Sequence, residues 1–340
     1  MTDLIVGGGS VGMLLAWGLA SGGRDVAIVR RALAGPARRA TVTVLDPEGR
    51  SSTADVTEIS SPNGLSKAPD VIVFAVKAFD LESAAASCAM WPSAAALTVL
   101  NGVGAEEIVQ RVRPSGGLIA GSVTASVETV GGGTVARLNR GGVALAPAHG
   151  DVESLTGDLL AAFAAAGLRT RRVGDAAAMK WSKLVANLVG NATSAILDMS
   201  PAEIYGDAAG FGIERRQIVE ALAVMRRLGL RPVALPGANV PLLAFGIRLP
   251  PAVARPVMQR IIGGARGRKD PSLRIHVNSG SGPSEVEWLN GAVAGAAHRL
   301  GLRAPVNRSL TELVDEVQAN PERRAWFRRR PDRLAEAIEG

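Results

Sequence analysis

A short apolar strand, Leu4-Ile5-Val6, runs straight into GGGSVG, Gly7 to Gly12, and the helical run MLLAWGLASGG follows at once. This is G-x-G-x-x-G between a strand and a helix, the setting in which that spacing has a mechanism. Gly7 permits the tight turn, Gly9 lets a pyrophosphate approach the backbone, and Gly12 lets the helix pack close to the strand. The helix amino terminus then attracts the phosphate charge. Gly7, Gly8, Gly9, Ser10, Val11 and Gly12 are therefore candidate dinucleotide contacts; the alternative is a turn that serves packing alone.

The next strand, Asp25 to Val29, ends at Arg30-Arg31. An acidic residue at this place suits the ribose hydroxyls of NAD, whereas arginine accommodates a 2′-phosphate. The pair favours NADP, against the reading of two surface arginines after a strand. TVTVLD (41–46), the turn Pro47-Glu48-Gly49 and a strand reaching Thr57 read as a hairpin inserted in the sheet. Asp70-VIVFAV-Lys77 is continuously apolar, as a strand covered on both faces would be. A helix over 79–91 and a strand over 96–100 follow, the strand ending in Asn101-Gly102. Lys77 and Asn101 thus arrive at the carboxyl edge, where open α/β sheets bind ligands.

Helix 105–112, strands near 117–126, 133–139 and 142–147, helix 151–168 and strand 169–173 complete an expected first domain, 1–174. From 175 to 340 the pattern is almost wholly helical. Helices are expected over 176–197, 200–206, 211–228, 250–263, from Glu285 onward, and over 307–318, with a polar, glycine-dotted stretch at 263–285. Within the first of these, Lys183, Asn187 and Asn191 fall four apart and form one polar stripe among Leu184, Val185, Leu188, Val189, Ala192 and Ile196. Buried polar groups need partners. The stripe is either a wall facing a polar ligand or a solvated face.

Composition narrows the classes. The single cysteine, Cys88, excludes an internal disulfide and suits a reducing, cytoplasmic setting. No segment reaches the roughly 20 apolar residues needed to span a bilayer, and no leader sequence is expected. The net charge of +7 comes mostly from dispersed arginines. Their densest cluster, Arg323-Arg324 and Arg328-Arg329-Arg330 around Trp326 and Phe327, reads as a solvated terminal helix, because no nucleic-acid motif accompanies it. Positive potential suits an enzyme of anionic ligands. His149, His276 and His298 lack metal-ligand spacing, so no metal is expected.

Taken in order, GGGSVG, VKAFD, LNGVG, KWSKLVANLVGN, PSL, SEVEWLNG and APVN resemble the ketopantoate reductase (2-dehydropantoate 2-reductase) family, from Gly7 to about Leu313. The resemblance implies an α/β, Rossmann-type NADP-binding domain and an all-helical carboxy-terminal domain like that of 6-phosphogluconate dehydrogenase. It implies an NADPH-dependent reductase of pantothenate synthesis with its active site in a cleft between domains. Position by position, it puts the general acid on Lys183 and substrate-binding amides on Asn187 and Asn191. It puts a substrate-contacting serine on Ser272 and a site carboxylate, facing substrate and coenzyme, on Glu285. Asn101 matches the residue beside the nicotinamide, where it meets both substrate and coenzyme, and Lys77 the lysine ending the buried strand. His276 stands where the family usually carries aspartate, Gly282-Pro283 where a basic residue often precedes the glutamate, and Pro201 at another polar contact.

The chemistry is coherent on its own terms. Hydride attack on a 2-keto acid develops an alkoxide, and a placed ammonium both stabilises and protonates it. A neighbouring carboxylate holds such an ammonium charged or binds a substrate hydroxyl. Three readings stay open: ketopantoate reduction to (R)-pantoate, another dehydrogenase of the same plan acting on a different 2-keto acid or opine-type substrate, and a non-catalytic NADP(H) sensor. The apolar carboxy-terminal helices can support a homodimer; neither nucleic acid nor membrane is an expected partner.

Overall fold

The computed structural model describes residues 1–31, 33, 35–265, 270–280 and 282–339. The polar stretch at 263–285 therefore lies partly outside the described residues. Two compact units result, one of Met1–Lys180 with Leu235–Ala238, the other of Trp181–Ala234 with Asn239–Gly340. The expected change of character at Gly174-Asp175 comes ahead of this division, which falls after Lys180, a residue that still bonds to carbonyls at the sheet's edge.

The first unit alternates β1 (Thr2–Val6), α1 (Ser10–Ser21), β2 (Asp25–Val29), β3 (Arg38–Leu45), β4 (Ser51–Ile59), β5 (Val71–Phe74), α2 (Leu81–Ala86), β6 (Ala95–Thr98), α3 (Ala105–Val112) and β7 (Leu118–Val123). It continues with β8 (Val127–Gly131), β9 (Thr134–Arg137), β10 (Gly142–His149), α4 (Glu153–Ala165) and β11 (Arg169–Arg172). All eleven strands join one sheet in the order β11-β10-β7-β6-β5-β1-β2-β4-β3-β9-β8. Its centre, β4-β2-β1-β5-β6-β7, is wholly parallel. From β1 the chain steps to β2 on one side and later to β5 on the other, so the switch point lies between β1 and β5.

β5 and β7 are buried at every position, as strands covered on both faces must be. α1 and α4 supply Leu14, Leu15, Trp17, Leu159 and Phe163 to the core that Ile5, Val73, Leu97, Ile119 and Leu145 line from the sheet. The hairpin β3–β4 pairs in full register from Arg38↔Glu58 to Leu45↔Ser51. Its turn is held by Asp46, whose carboxylate accepts from the Glu48 and Arg50 amides at 3.0 and 2.9 Å.

Two expectations in this unit need correction. The helix over 79–91 shrinks to a 3-10 turn, Ala78–Asp80, and α2, Leu81–Ala86. Beyond it the buried Arg113 guanidinium takes the carbonyls of Cys88, Trp91 and Ala94, which holds 88–94 as irregular chain. β8 goes unsignalled because only Val127 of its five residues is buried.

The second unit is helical: α5 (Ala176–Leu188, whose first turn belongs to the sheet unit), α6 (Ala192–Leu197), α7 (Pro201–Gly206), α8 (Ala208–Arg227), α9 (Val240–Gly246) and α10 (Pro251–Ala265). Then come α11 (Ser272–Ser279), α12 (Asn290–Arg299), α13 (Pro305–Ala319), α14 (Pro321–Phe327) and α15 (Pro331–Glu339). The twenty-residue α8 packs against α7, α12, α13 and α15. α7 begins with a capping box, the Ser200 hydroxyl meeting the Glu203 amide while the Glu203 carboxylate returns to the Ser200 amide.

The helix expected over 176–197 is two helices. Gly190 has φ +58, a left-handed conformation open to glycine. Its amide donates to the buried Glu214 carboxylate at 2.7 Å, and a Cβ there would meet the Pro201 ring at 2.7 Å. The helix expected from Glu285 is instead one 3-10 turn, Val286–Trp288, and α12 starts only at Asn290. α11 occupies part of the stretch read as irregular, and the basic carboxy-terminal cluster is not one helix: Arg323 and Arg324 lie on α14, and Arg328 to Arg330 in the turn before α15.

Candidate active site

In the sheet unit the glycine turn is shaped by close backbone approach. A Cβ on Gly7, at φ +120, would lie 2.5 Å from the Ala75 carbonyl oxygen, and one on Gly12 would lie 1.8 Å from the Gly7 carbonyl oxygen. Gly9 differs, since no atom comes within 4 Å of the place its Cβ would take. It is also the N-cap of α1, where no side chain caps the helix and the first turn holds no acidic residue. Open space, uncapped amides and a helix amino terminus together fit a pyrophosphate.

Ser10 and Val11 are half-buried in the first turn of α1. Lys77 is exposed just past β5, which ends at Phe74 rather than at the lysine, and the chain between them packs on Gly7. Asn101 is exposed beyond the end of β6, the strand beside β5.

Arg30 lies over Gly8 and donates from Nη1 to its carbonyl at 3.1 Å, while its Nε stands 3.6 Å from Glu58. Glu58 is paired as well with Arg38 at 2.8 Å. Arg31 is exposed and pairs with Asp80 at 2.8 Å. The sequence reading missed Glu58, Asp80 and Arg38: they come from β4, the chain after β5, and β3, with no local signal linking them to Arg30-Arg31. A cavity of about 360 Å3 lined by Asp70, Gly117, His149 and Asp151 opens at the opposite, amino-terminal ends of β5 and β7 and has no part in this arrangement.

In the helical unit Lys183 and Asn187 are one turn apart on α5, both half-buried. Asn191 is not the third member of a continuous stripe. It follows the Gly190 turn as N-cap of α6, is 5 % exposed, and its Oδ1 accepts from the Leu273 amide at 3.1 Å. Asn191 therefore meets the segment that carries Ser272, which is the exposed first residue of α11. Arg274 on the same helix reaches Asp198 just past α6 at 2.8 Å, a second tie. His276 meets the Gly282 carbonyl through Nε2 at 3.1 Å. Glu285 is half-buried ahead of the 3-10 turn, next to Ser284, whose hydroxyl donates to Asp315 at 3.0 Å.

The motif asparagines Asn290 and Asn307 serve the framework. Asn290 Nδ2 donates to Gln217 Oε1 at 2.9 Å and to Asn307 Oδ1 at 3.0 Å. Asn307 donates in turn to Glu220. Burial pushes the Glu220 carboxyl above its ordinary value even though Asn307 and the Val306 amide oppose the shift. Gln217 closes the chain by donating to Glu214 at 2.7 Å. Among the described residues no cluster of histidine, cysteine and carboxylate could hold a metal, and no helix is long and apolar enough to cross a membrane.

A parallel-sheet core with an uncapped glycine turn at its switch point is the arrangement of a dinucleotide-binding protein, and the helical unit carries Lys183 and Asn187 on α5. Comparison with known proteins makes this specific. The chain belongs to the ketopantoate reductase family, whose amino-terminal model (Ketopantoate reductase PanE/ApbA) matches residues 4–150 and whose carboxy-terminal model matches 175–318. It is accordingly an oxidoreductase of the 2-dehydropantoate 2-reductase type. A 2-dehydropantoate 2-reductase of Halobacterium salinarum is 23% identical over 323 residues, covering 94% of this chain and 99% of the relative. The fold matches a PanE/ApbA family ketopantoate reductase from Ralstonia eutropha JMP134 with TM-score 0.75 at 24% identity, over 94% of this chain and 99% of the other. It also matches D-mandelate dehydrogenase, solved with NADH and anilino(oxo)acetate, with TM-score 0.76 at 19% identity and the same coverage.

Proposed function

We propose that the chain reduces a 2-keto acid with NADPH, that the substrate is 2-dehydropantoate and the product (R)-pantoate, and that it serves pantothenate and coenzyme A synthesis in the cytoplasm. Residues 1–174 bind the coenzyme and 175–340 bring the substrate and the proton. Gly7 to Gly12 cradle the pyrophosphate through backbone amides, Arg30 and Arg31 take the 2′-phosphate, Lys77 and Glu285 approach the coenzyme further along, and Asn101 lies beside its nicotinamide and the substrate. The coenzyme supplies the hydride.

Lys183 donates the proton that neutralises the developing alkoxide, a role worth about 10² to 10⁴-fold in rate. Asn187, Asn191 and Ser272 orient the substrate's carboxylate and hydroxyls, Asn191 through the Nδ2 that its bond to Leu273 leaves over. Glu285 holds the ammonium charged or binds a substrate hydroxyl. The observation that carries this reading is the pairing of Lys183 with Asn187, one turn apart and half-buried on α5, in a chain whose first helix starts at an uncapped glycine turn.

NADP preference rests on Arg30 and Arg31. Both are engaged with carboxylates, Glu58 and Asp80, and a 2′-phosphate would exchange those exposed or half-exposed pairs for a doubly charged partner. A second reading has one observation in its favour: a structural neighbour of equal fold similarity is a D-mandelate dehydrogenase. Pro201 and His276, at positions where the family usually has other polar groups, fit a different 2-keto acid equally well.

A turnover panel of 2-dehydropantoate, 2-ketoisovalerate, pyruvate and phenylglyoxylate with NADPH and NADH decides between them. The expected result is highest kcat/KM on 2-dehydropantoate, and a preference for NADPH of about tenfold or more, the equivalent of one charge-assisted contact. Highest kcat/KM on phenylglyoxylate would move the assignment to the second reading. Coenzyme binding without turnover of any 2-keto acid would make the chain a sensor.

A further inference from the structure

The parallel strands β6 and β7 part after Thr98↔Ala120, at the carboxyl edge of the sheet. Where they separate, a lysine takes over the role of the missing ladder. Lys180, only 3 % exposed, donates from Nζ to the Leu100 carbonyl at 2.7 Å and reaches the Gly121 carbonyl at 3.4 Å, one acceptor just past β6 and the other on β7 beyond its last pairing with β6. Its third partner is Glu106 Oε1 at 3.3 Å, in the first turn of α3. The same carboxylate oxygen accepts from the Thr98 hydroxyl.

Thr98 and Glu106 thus close the segment between β6 and α3 into a hoop, in which Gly102 and Gly104 take φ +85 and +99. Lys180 pins that hoop at Leu100, the residue immediately before Asn101. A buried ion pair is weak evidence for stability, because a well-packed apolar side chain often serves as well. What an apolar side chain could not do is fix a carbonyl at a chosen place.

We infer that Lys180, with Glu106 and Thr98, is a positioning residue that sets the backbone at Leu100–Asn101 and so aims Asn101 at the nicotinamide end of the coenzyme. This rests on the reading of Asn101 given under the proposed function. Lys180 does not touch the reacting atoms. It acts through a carbonyl, and its influence is confined to one end of the coenzyme, away from the glycine turn that cradles the phosphates.

The test compares binding of NADPH with that of ADP-ribose 2′-phosphate, the same molecule without its nicotinamide ring. In Lys180→Met, NADPH is expected to bind about tenfold more weakly while the fragment stays within about twofold, as one lost charge-assisted restraint would give. Lys180→Arg, which keeps a cation in reach of the carbonyls, should recover most of the difference. If Lys180→Met does not fold, Glu106→Gln and Thr98→Val loosen the hoop without removing the buried stem, and a smaller weakening of the same sense is expected. Equal losses for NADPH and the fragment, or none for either, overturn the inference. The outcome is independent of turnover. A wild-type protein that binds NADPH no tighter than the fragment refutes the reading of Asn101, whereas wild-type discrimination that survives in all the variants refutes the role of Lys180 alone.

Discussion

Two sharp turns, Gly7–Gly12 after β1 and Val189–Asn191 between α5 and α6, each start a helix, and they are built by opposite means. The first is shaped by what is missing: without side chains on Gly7 and Gly12 the backbone closes on itself, while Gly9 faces open space. The second is shaped by what is supplied from afar. The fully buried Glu214 accepts from the Gly190 amide at 2.7 Å, the Thr193 hydroxyl at 2.6 Å and Gln217 at 2.7 Å. A turn made of backbone leaves its helix amides available to an anion. A turn filled by a carboxylate commits its own Gly190 amide and the Thr193 hydroxyl to the framework, and the polar residues on the helix before it, Lys183 and Asn187, are offered as side chains.

The largest expected effect breaks the second turn. Glu214→Ala strands three buried donors, each worth about 1–3 kcal/mol when left unpaired. With partial relaxation, the helical unit should lose about 3–5 kcal/mol in chemical denaturation. A loss below about 1 kcal/mol would mean that water replaces the carboxylate.

Next comes a pair of substitutions in the first turn. Gly12→Ala puts a Cβ against the Gly7 carbonyl and should cost about 1–3 kcal/mol of stability. Gly9→Ala, at φ −77 and in open space, should leave stability within about 0.5 kcal/mol yet weaken NADPH about tenfold or more by filling the phosphate's approach. Equal melting temperatures for the two variants would contradict the contrast drawn between Gly9 and Gly12.

The smallest effect concerns α7. The Glu203 carboxyl is lowered from 4.5 to about 2, first by the Ser200 amide and then by Arg329. A depressed carboxyl contributes stability that is present in full above its unfolded pKa and lost as pH falls through the folded one. The loss should therefore run from about 4.5 down to about 2. Because the side chain is 42% exposed, solvent screening keeps the contribution under about 1 kcal/mol. Acid unfolding of Glu203→Gln should differ from wild type at neutral pH and converge with it near the bottom of that window; divergence growing toward acid would reverse the assignment.

The same contrast explains what could be read from the sequence. The glycine turn, the buried run of β5 and the strand-turn-strand pattern of the β3–β4 hairpin are local patterns, each complete within one continuous stretch of sequence. Asn191 looked like a third rung because spacing alone says nothing of Gly190, whose conformation depends on Glu214, 24 residues away. α11 was hidden for a related reason. It buries only Leu273 and Val277 and is held by Asn191 and Asp198, both outside its own stretch. Lys180 gave no signal at all, since the carbonyls that define its role lie 80 and 59 residues earlier. The resemblance named SEVEWLNG and APVN, but only the structure separates their framework asparagines, Asn290 and Asn307, from the neighbouring Glu285.

The account stands on Lys183 as the proton donor to a substrate reduced by coenzyme that the sheet unit holds. Its most direct test is single-turnover reduction of 2-dehydropantoate by Lys183→Ala, with NADPH binding measured in parallel. The account predicts a hydride-transfer rate at least about 100-fold below wild type, with NADPH dissociation unchanged within about threefold, since the coenzyme's own contacts lie elsewhere. A near-normal rate, or a loss explained wholly by weakened NADPH binding, would contradict it.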